Sequence, residues 1–255
     1  MPRADHGRSG RALNAAAAAA LGVALARGMV AQPAAAQPAT AQPATGPTAV
    51  APVSLTVKVA GLAAHGRLPA SAAYCPRSRR DPSEYNISPS VGWSHGPPGT
   101  RSYALIMTDL DVPEDLSLIN KPGVTLDADT PRVPFIHWVL IDIPPTITHL
   151  RRGEESAGFV AKGNPIGPTD HGLRGANVYS HYYPKDSPLA GPRGGYDGPC
   201  PPRNDVVSHR YVTRVYALDV PSLGLAGVFY GEDALRAMQG HVLAVGEAEA
   251  VYSAT

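Results

Sequence analysis

The run Pro134–Pro145, PFIHWVLIDIPP, limits this chain more than any other segment. Read as a strand, it places Phe135, His137, Val139 and Ile141 on one face and Ile136, Trp138 and Leu140 on the other. Both faces are largely apolar, so the strand must be covered from both sides and lie in the middle of packed layers. Pro144-Pro145 stops it. His137 is the one polar side chain in that apolar company, and a buried imidazole has to find partners.

Other segments supply layers of the same kind. SLTVKVAG alternates apolar and polar residues, RSYALIMTDLDVP is a strand ended by Pro113, and HRYVTRVYALDV is a third long strand. GEDALRAMQGHVLAVGE reads as a helix with Leu235, Met238 and Val242 at helical spacing, weakened by Gly240, and EAEAVYSA as a short closing strand. The chain has 27 prolines and 26 glycines against 3 phenylalanines, so turns are frequent and strands short. Strands without a strand–helix–strand rhythm, followed by one late helix, predict a mainly β protein, an antiparallel β-sandwich with a C-terminal helix.

The first residues have a different character. Arg3, Arg8 and Arg11 precede an apolar stretch, Ala12–Ala26, too short to span a membrane comfortably, and Ala34-Ala35-Ala36 offers a small-residue cleavage site, with Met29-Val30-Ala31 as a second choice. Residues 1–36 therefore read as a signal peptide; an uncut anchor or an Ala-rich tail is the alternative. AQPAAAQPATAQPATGP cannot build a core, so residues 37–52 read as a flexible linker and 53–255 as the folded domain. The expectation is an exported protein, periplasmic or secreted. A net charge of +1, with no basic run longer than Arg79-Arg80 or Arg151-Arg152, argues against a nucleic-acid partner.

Asp109 and Asp111 stand two apart at a strand end, so alternation puts both carboxylates on one face. His209 and Tyr211 stand two apart on another strand, just after the rigid loop GGYDGPCPP. A carboxylate beside His137 would raise its pKa and favour the cation. These five residues allow three chemistries: a zinc or iron site, acid–base groups of a hydrolase, or an anion site of imidazoles, a phenol hydroxyl and loop amides. No HxH or HxxxH pair supports the metal. Gly92-Trp93-Ser94-His95-Gly96 matches the nucleophile-elbow pattern, but Pro97-Pro98-Gly99 follows where that motif needs a helix, so GWSHG reads as a loop.

NISPSVGW, SYALIMTDLDVP, FIHWVLIDIP, GYDGPCPP, HRYVTRVYALD and AMQGHVLAVGEAEAVYS, in that order, resemble the phosphatidylethanolamine-binding protein family, and within it the bacterial and archaeal Raf-kinase-inhibitor-like branch. The resemblance runs from about Val53 to the end. It implies a large antiparallel sheet packed on a smaller one, with a pocket for phosphate-like anions. Carried onto this chain, the pocket comprises Asp109, Asp111, His137, Gly198, Cys200, Pro201, Pro202, His209 and Tyr211. The glycine–proline loop would form its wall and aim amides inward, with His209 and Tyr211 as the floor beside His137.

The implied function is a non-enzymatic binding protein for a small phosphate-bearing ligand or phospholipid head group, regulating or inhibiting a partner such as a protease or kinase. No catalytic residue, metal or cofactor is assigned; a hydrolase or metal enzyme using the same His/Asp pocket is the alternative. Two departures from the family pattern stand out. Leu110 and Val112 replace a Pro and an Ala in the acidic motif. The stretch from Gly167 to Gly195 is longer than in compact members, and it carries Tyr179, His181, Tyr182, Tyr183 and Lys185 either to the pocket mouth or onto a variable surface loop. Cys75 and Cys200 are an even pair in an exported chain; a bridge and two buried thiols both remain open.

Overall fold

A computed structural model describes residues 53–75 and 81–254. The expected signal peptide at 1–36, the linker at 37–52 and the Arg79-Arg80 pair lie outside the described residues. In chain order the elements are β1 (Val53–Ser54), β2 (Val57–Val59), β3 (Val91–Trp93), β4 (Ser102–Pro113), β5 (Arg132–Ile143), β6 (His149–Leu150), β7 (Gly167–Thr169), β8 (Gly172–Arg174), α1 (Tyr179–Tyr182), β9 (His209–Leu218), α2 (Gly231–Ala237) and β10 (Val242–Tyr252). Seven strands form one sheet in the order β1-β10-β9-β4-β5-β8-β7, and three form a second in the order β2-β3-β6. All pairings are antiparallel except β1 with β10.

The two-faced burial expected of β5 is present. One core lies between the sheets: Trp138, Leu140 and Ile143 meet Tyr103, Leu105 and Met107 of β4 and Val57, Val91, Trp93 and Leu150 of the small sheet. The other lies on the opposite face of the large sheet, where Val139 and Ile141 pack with Phe229, Ala234 and Met238 around α2.

Strict alternation along β5 is broken, however. Met107 pairs with Trp138 while Thr108 pairs with Ile136, which leaves His137 as the extra residue of a bulge. A second slip, between Asp109–Phe135 and Val112–Val133, falls on Leu110 and Asp111. Bulges re-aim side chains locally and are common beside functional sites.

The helix is shorter than its apolar spacing suggested. It ends at Ala237, and Gly240 at φ +82° turns the chain straight into β10, which starts at Val242 and is a long strand. Gly231 and Ala234 are its buried residues, Met238 just after it is buried too, and Leu235 and Val242 are exposed. SLTVKVAG is likewise not one strand, for it divides between β1 of the large sheet and β2 of the small one. Ser94, His95 and Gly96 follow β3 without a helix, and Ser94 Oγ accepts from Thr56 N–H (3.0 Å).

A histidine pocket beside a disulfide

β4, β5 and β9 are neighbours in the large sheet, so three distant stretches of sequence meet at one end of it. Asp109 pairs with both Phe135 and Tyr211, which places His137 and His209 on either side of its carboxylate. Together with Cys200 and Pro202 they line a small cavity of about 60 Å³, closed by Val112, Ile119, Asn120, Phe135, Tyr179 and Tyr182. That is room for a few water molecules or one tetrahedral oxyanion.

The two imidazoles differ in charge. His209 presents Nδ1 to Asp109 Oδ2 (2.8 Å) and Nε2 to Asp205 Oδ2 (3.1 Å). Both nitrogens therefore face acceptors and both carry protons. Burial alone would lower the His209 pKa, but the two carboxylates outweigh it and raise it, so the ring is held as a cation. Asp205 is in turn gripped by Arg132 Nη1 (2.5 Å) and Nη2 (3.1 Å). Burial pushes the Asp205 carboxyl up, yet Arg132, the Val207 amide and His209 together bring its pKa below the usual carboxylate value.

His137 is neutral. Its Nδ1 meets the Asp197 carbonyl (2.9 Å) and so donates to it, which leaves a lone pair on Nε2. Burial lowers its pKa, and the Asp109 charge, 3.9 Å from Nε2, does not reverse that. The expectation of a raised pKa at His137 is thus corrected: desolvation wins there because no carboxylate comes within hydrogen-bond reach. Among the described residues His137 Nε2 is buried with no hydrogen-bond partner, and the buried Tyr211 hydroxyl makes no well-formed hydrogen bond, with Asp109 as its nearest acceptor. His137 is only 2% exposed and Tyr211 1%, so solvent does not satisfy them.

The Asp111 carboxylate does not join that of Asp109, although the Asp111 amide donates to Asp109 Oδ1 (2.8 Å). The second bulge turns it away, and it accepts from the Arg210 amide (2.8 Å), Nε (2.9 Å) and Nη2 (2.8 Å). Burial opposes its ionisation, but Arg210 holds its pKa below the usual value. With Asp111 on Arg210, His209 on Asp109 and Asp205, and Asp205 on Arg132, the charges around the pocket are paired.

The glycine–proline loop also differs from expectation. Gly198 lies behind the wall, not in it: its amide donates to Asn86 Oδ1 (2.8 Å) and its carbonyl accepts from the Tyr179 hydroxyl (3.2 Å). A Cβ there would sit 1.9 Å from the Ala72 carbonyl oxygen, so only glycine allows this close approach. Pro201 faces a neighbouring cleft, whereas Cys200 and Pro202 line the pocket. Prolines have no N–H, so Cys200 is the one residue of the PCPP segment able to offer an amide. Cys75 and Cys200 form a disulfide. Tyr211 stands edge-on to His137 (5.4 Å between ring centroids) and does not reach the cavity wall.

A support network absent from the sequence reading holds the pocket from behind. Arg193, fully buried, donates through Nε to Asp197 Oδ2 (2.8 Å) and reaches the carbonyls of Ala161 and Val160. Asp197 also accepts from Asn86 Nδ2 (2.8 Å) and Asn177 Nδ2 (3.1 Å). Asp197, one residue before the glycine–proline loop, and Asp205, four before His209, were the visible signals. Of the long 167–195 stretch, Tyr179 and Tyr182 line the pocket and Tyr183 the neighbouring cleft, while His181 stacks on Tyr230 (4.5 Å) elsewhere. Among the described residues no group of three His, Cys, Asp or Glu side chains is placed to hold a metal ion.

A family model described as phosphatidylethanolamine-binding protein matches residues 61–253. A UPF0098 protein of Methanothermobacter thermautotrophicus is 34% identical over 177 residues, covering 68% of this chain and 88% of the relative. Another, from Aquifex aeolicus, is 33% identical, covering 62% of this chain and 70% of the relative. Among solved structures, Escherichia coli YbcL, described as a member of the mammalian PEBP family, superposes with a TM-score of 0.54 at 21% identity, over 79% of this chain and 99% of that one. A phosphatidylethanolamine-binding protein homologue of Chlamydia trachomatis gives 0.52 at 23% identity, over 78% and 97%. Those two likenesses are of fold.

Proposed function

The chain belongs to the phosphatidylethanolamine-binding protein family, and on that premise we propose that it is a non-enzymatic protein that binds a small phosphate-bearing group in the His137–His209 pocket. The observation that carries this reading is the His137 Nε2 atom, buried and unpartnered at the edge of a cavity sized for one oxyanion. A buried polar atom without a partner costs free energy that a ligand can recover. Pairing of the other charges leaves His137 as the group that changes state. An oxyanion between Nε2 and the Asp109 carboxylate needs a proton on at least one side. Either His137 takes one up, or the ligand brings it as a P–O–H. The Cys200 amide and the His209 cation, fixed by two aspartates, supply the surrounding donors and field.

Residues 1–36 fit this reading as a secretory signal, with the binding domain delivered to the periplasm or the exterior. Calorimetric titration with inorganic phosphate and phosphoethanolamine tests the proposal. Saturable binding that falls at least tenfold in His137→Ala is expected. No saturable binding to the wild type would overturn it, and turnover of a phosphate ester by the purified protein would put the hydrolase reading in its place.

A further inference from the structure

The β7–β8 hairpin at the outer edge of the large sheet is lightly held. β8 pairs with β5 over two register positions, Leu140–Arg174 and Ile141–Leu173, and β7 contains Pro168, which has no N–H to donate. A cluster of charges at the hairpin turn adds to the hold. Glu155, fully buried, accepts from Arg174 Nε (2.8 Å) and Nη2 (3.4 Å), and Arg174 Nη2 also reaches the Glu154 carbonyl (3.0 Å). His171, in the turn between β7 and β8, stands between two carboxylates. Its Nε2 lies 3.4 Å from Glu154 Oε2 and its Nδ1 3.6 Å from Glu155 Oε1. Among the described residues Nδ1 is buried with no hydrogen-bond partner. Burial pushes the Glu154 carboxyl up, but the Arg151 amide and side chain, with the charge of His171, bring it below the usual carboxylate value. The Arg151 side chain is 78% exposed, so water and salt screen its charge. Asp170, the other turn residue, is exposed as well.

We propose that His171 is a proton-operated latch, which as a cation bridges Glu154 and Glu155 and fastens the β7–β8 hairpin, and which on losing its proton lets that hairpin loosen. The warrant is the placement of the ring. A neutral imidazole carries one N–H and one lone pair, so in either tautomer a lone pair faces a carboxylate oxygen. Only the imidazolium offers a proton to both carboxylates, as charge-assisted bonds. Glu154 and Glu155 come from the segment after β6, and Arg174 from β8, so the bridge ties the hairpin to a separate part of the chain. Contacts made by the protonated ring are present at the acid end of the histidine range and are lost as pH rises. What the latch guards is the sheet edge. β7 is the terminal strand, and loosening the hairpin bares backbone N–H and C=O groups that are then open to pairing with another chain. The latch is independent of what the His137–His209 pocket binds.

Native-state hydrogen exchange of the whole protein tests this, read at several pH values between about 5 and 8 and corrected for the intrinsic exchange rate. Amides of β4 and β9 report global opening and serve as the reference. Relative to them, protection of residues 169–174 is expected to fall about tenfold from the acid to the alkaline end of that range. In His171→Gln the hairpin should be loose at every pH and the dependence should vanish. Wild-type protection that does not change with pH, or a change of the same size in His171→Gln, overturns the latch. Should that variant fail to fold, the ring nitrogen shifts of His171 in the wild type decide. Two protonated nitrogens at the acid end, with one proton lost in step with hairpin protection, support the latch; a ring that titrates out of step with the hairpin overturns it.

Discussion

His137 Nε2 stops 3.9 Å short of Asp109 Oδ2, with both side chains buried. The gap is what a bound oxyanion would enter, and its proton balance gives the first prediction. His137 is neutral in the free protein because burial lowers its pKa. A negative group beside Nε2 favours the imidazolium, so binding should draw in a proton and weaken as pH rises above the depressed His137 pKa of the free protein. Sulfate is the informative ligand, since it has no proton of its own to confuse the count. Calorimetry in two buffers of different ionisation enthalpy should report uptake of between zero and one proton. His137→Gln should abolish that uptake. Binding of sulfate with no proton exchange would contradict the assignment.

His209 carries the second prediction. Its pKa is raised by Asp109 and Asp205 against the opposing effect of burial. The stabilisation it contributes is present in full below about pH 6.5 and is lost as pH rises through the elevated folded-state value. Replacing it with Gln leaves two buried carboxylates without their shared cation and should cost about 3–5 kcal/mol at pH 6. Urea unfolding should find the gap between wild type and His209→Gln narrowing toward pH 9. The His137 contribution runs the other way: it is present above about 6.5 and is lost as pH falls through the depressed value. A gap that widens with pH would refute the clamp.

The sheet was legible in the sequence because its signal is local. Alternation in HRYVTRVYALDV and two-faced apolarity in PFIHWVLIDIPP each follow from where side chains point along one strand. Asp109, His137 and His209 could be placed together only through the order of motifs. The failures are non-local. Asp111 was grouped with Asp109 by period-two reasoning, but a register slip between β4 and β5 turns it to Arg210, and nothing in DLDVP marks that slip. Arg193 sits in AGPRGGYDG, a composition that reads as surface loop, yet it is fully buried because its partner Asp197 and three carbonyls fold around it. Helix length was misread at Gly240, where one left-handed residue ends the regular spacing.

Arg193 and Asp197 therefore make a third prediction. Asp197→Asn removes the countercharge from a guanidinium with no solvent access and should cost about 3–5 kcal/mol. It also disturbs Asn86, whose side-chain oxygen holds the Gly198 amide, so ligand affinity should fall with stability. Arg193→Met together with Asp197→Asn takes away both charges and should recover part of the stability lost in Asp197→Asn alone, as read by denaturant midpoints. A double variant no more stable than the single one would mean that Arg193 acts through its carbonyl contacts and not through the ion pair.

The last prediction concerns the disulfide at the pocket wall. Cys75 and Cys200 are bridged across a sequence separation of 125 residues, and closing a loop of that length restricts the unfolded chain by roughly 4–5 kcal/mol in the entropy model. The loop that carries Cys200 is also tied to Tyr74 and Cys75 by Pro199 O, which accepts from Tyr74 N (2.8 Å) and Cys75 N (3.3 Å). Those backbone bonds hold the local geometry without the bridge. Reduction should therefore lower the urea midpoint strongly, while the folded, reduced protein keeps its affinity for inorganic phosphate within about threefold, a difference below the 1.4 kcal/mol of a tenfold change. Denaturant titration with and without reductant, followed by calorimetry of the reduced protein, separates the two effects. Loss of phosphate binding in a reduced but folded chain would show that the bridge, and not the backbone pairing, positions Cys200 in the pocket wall.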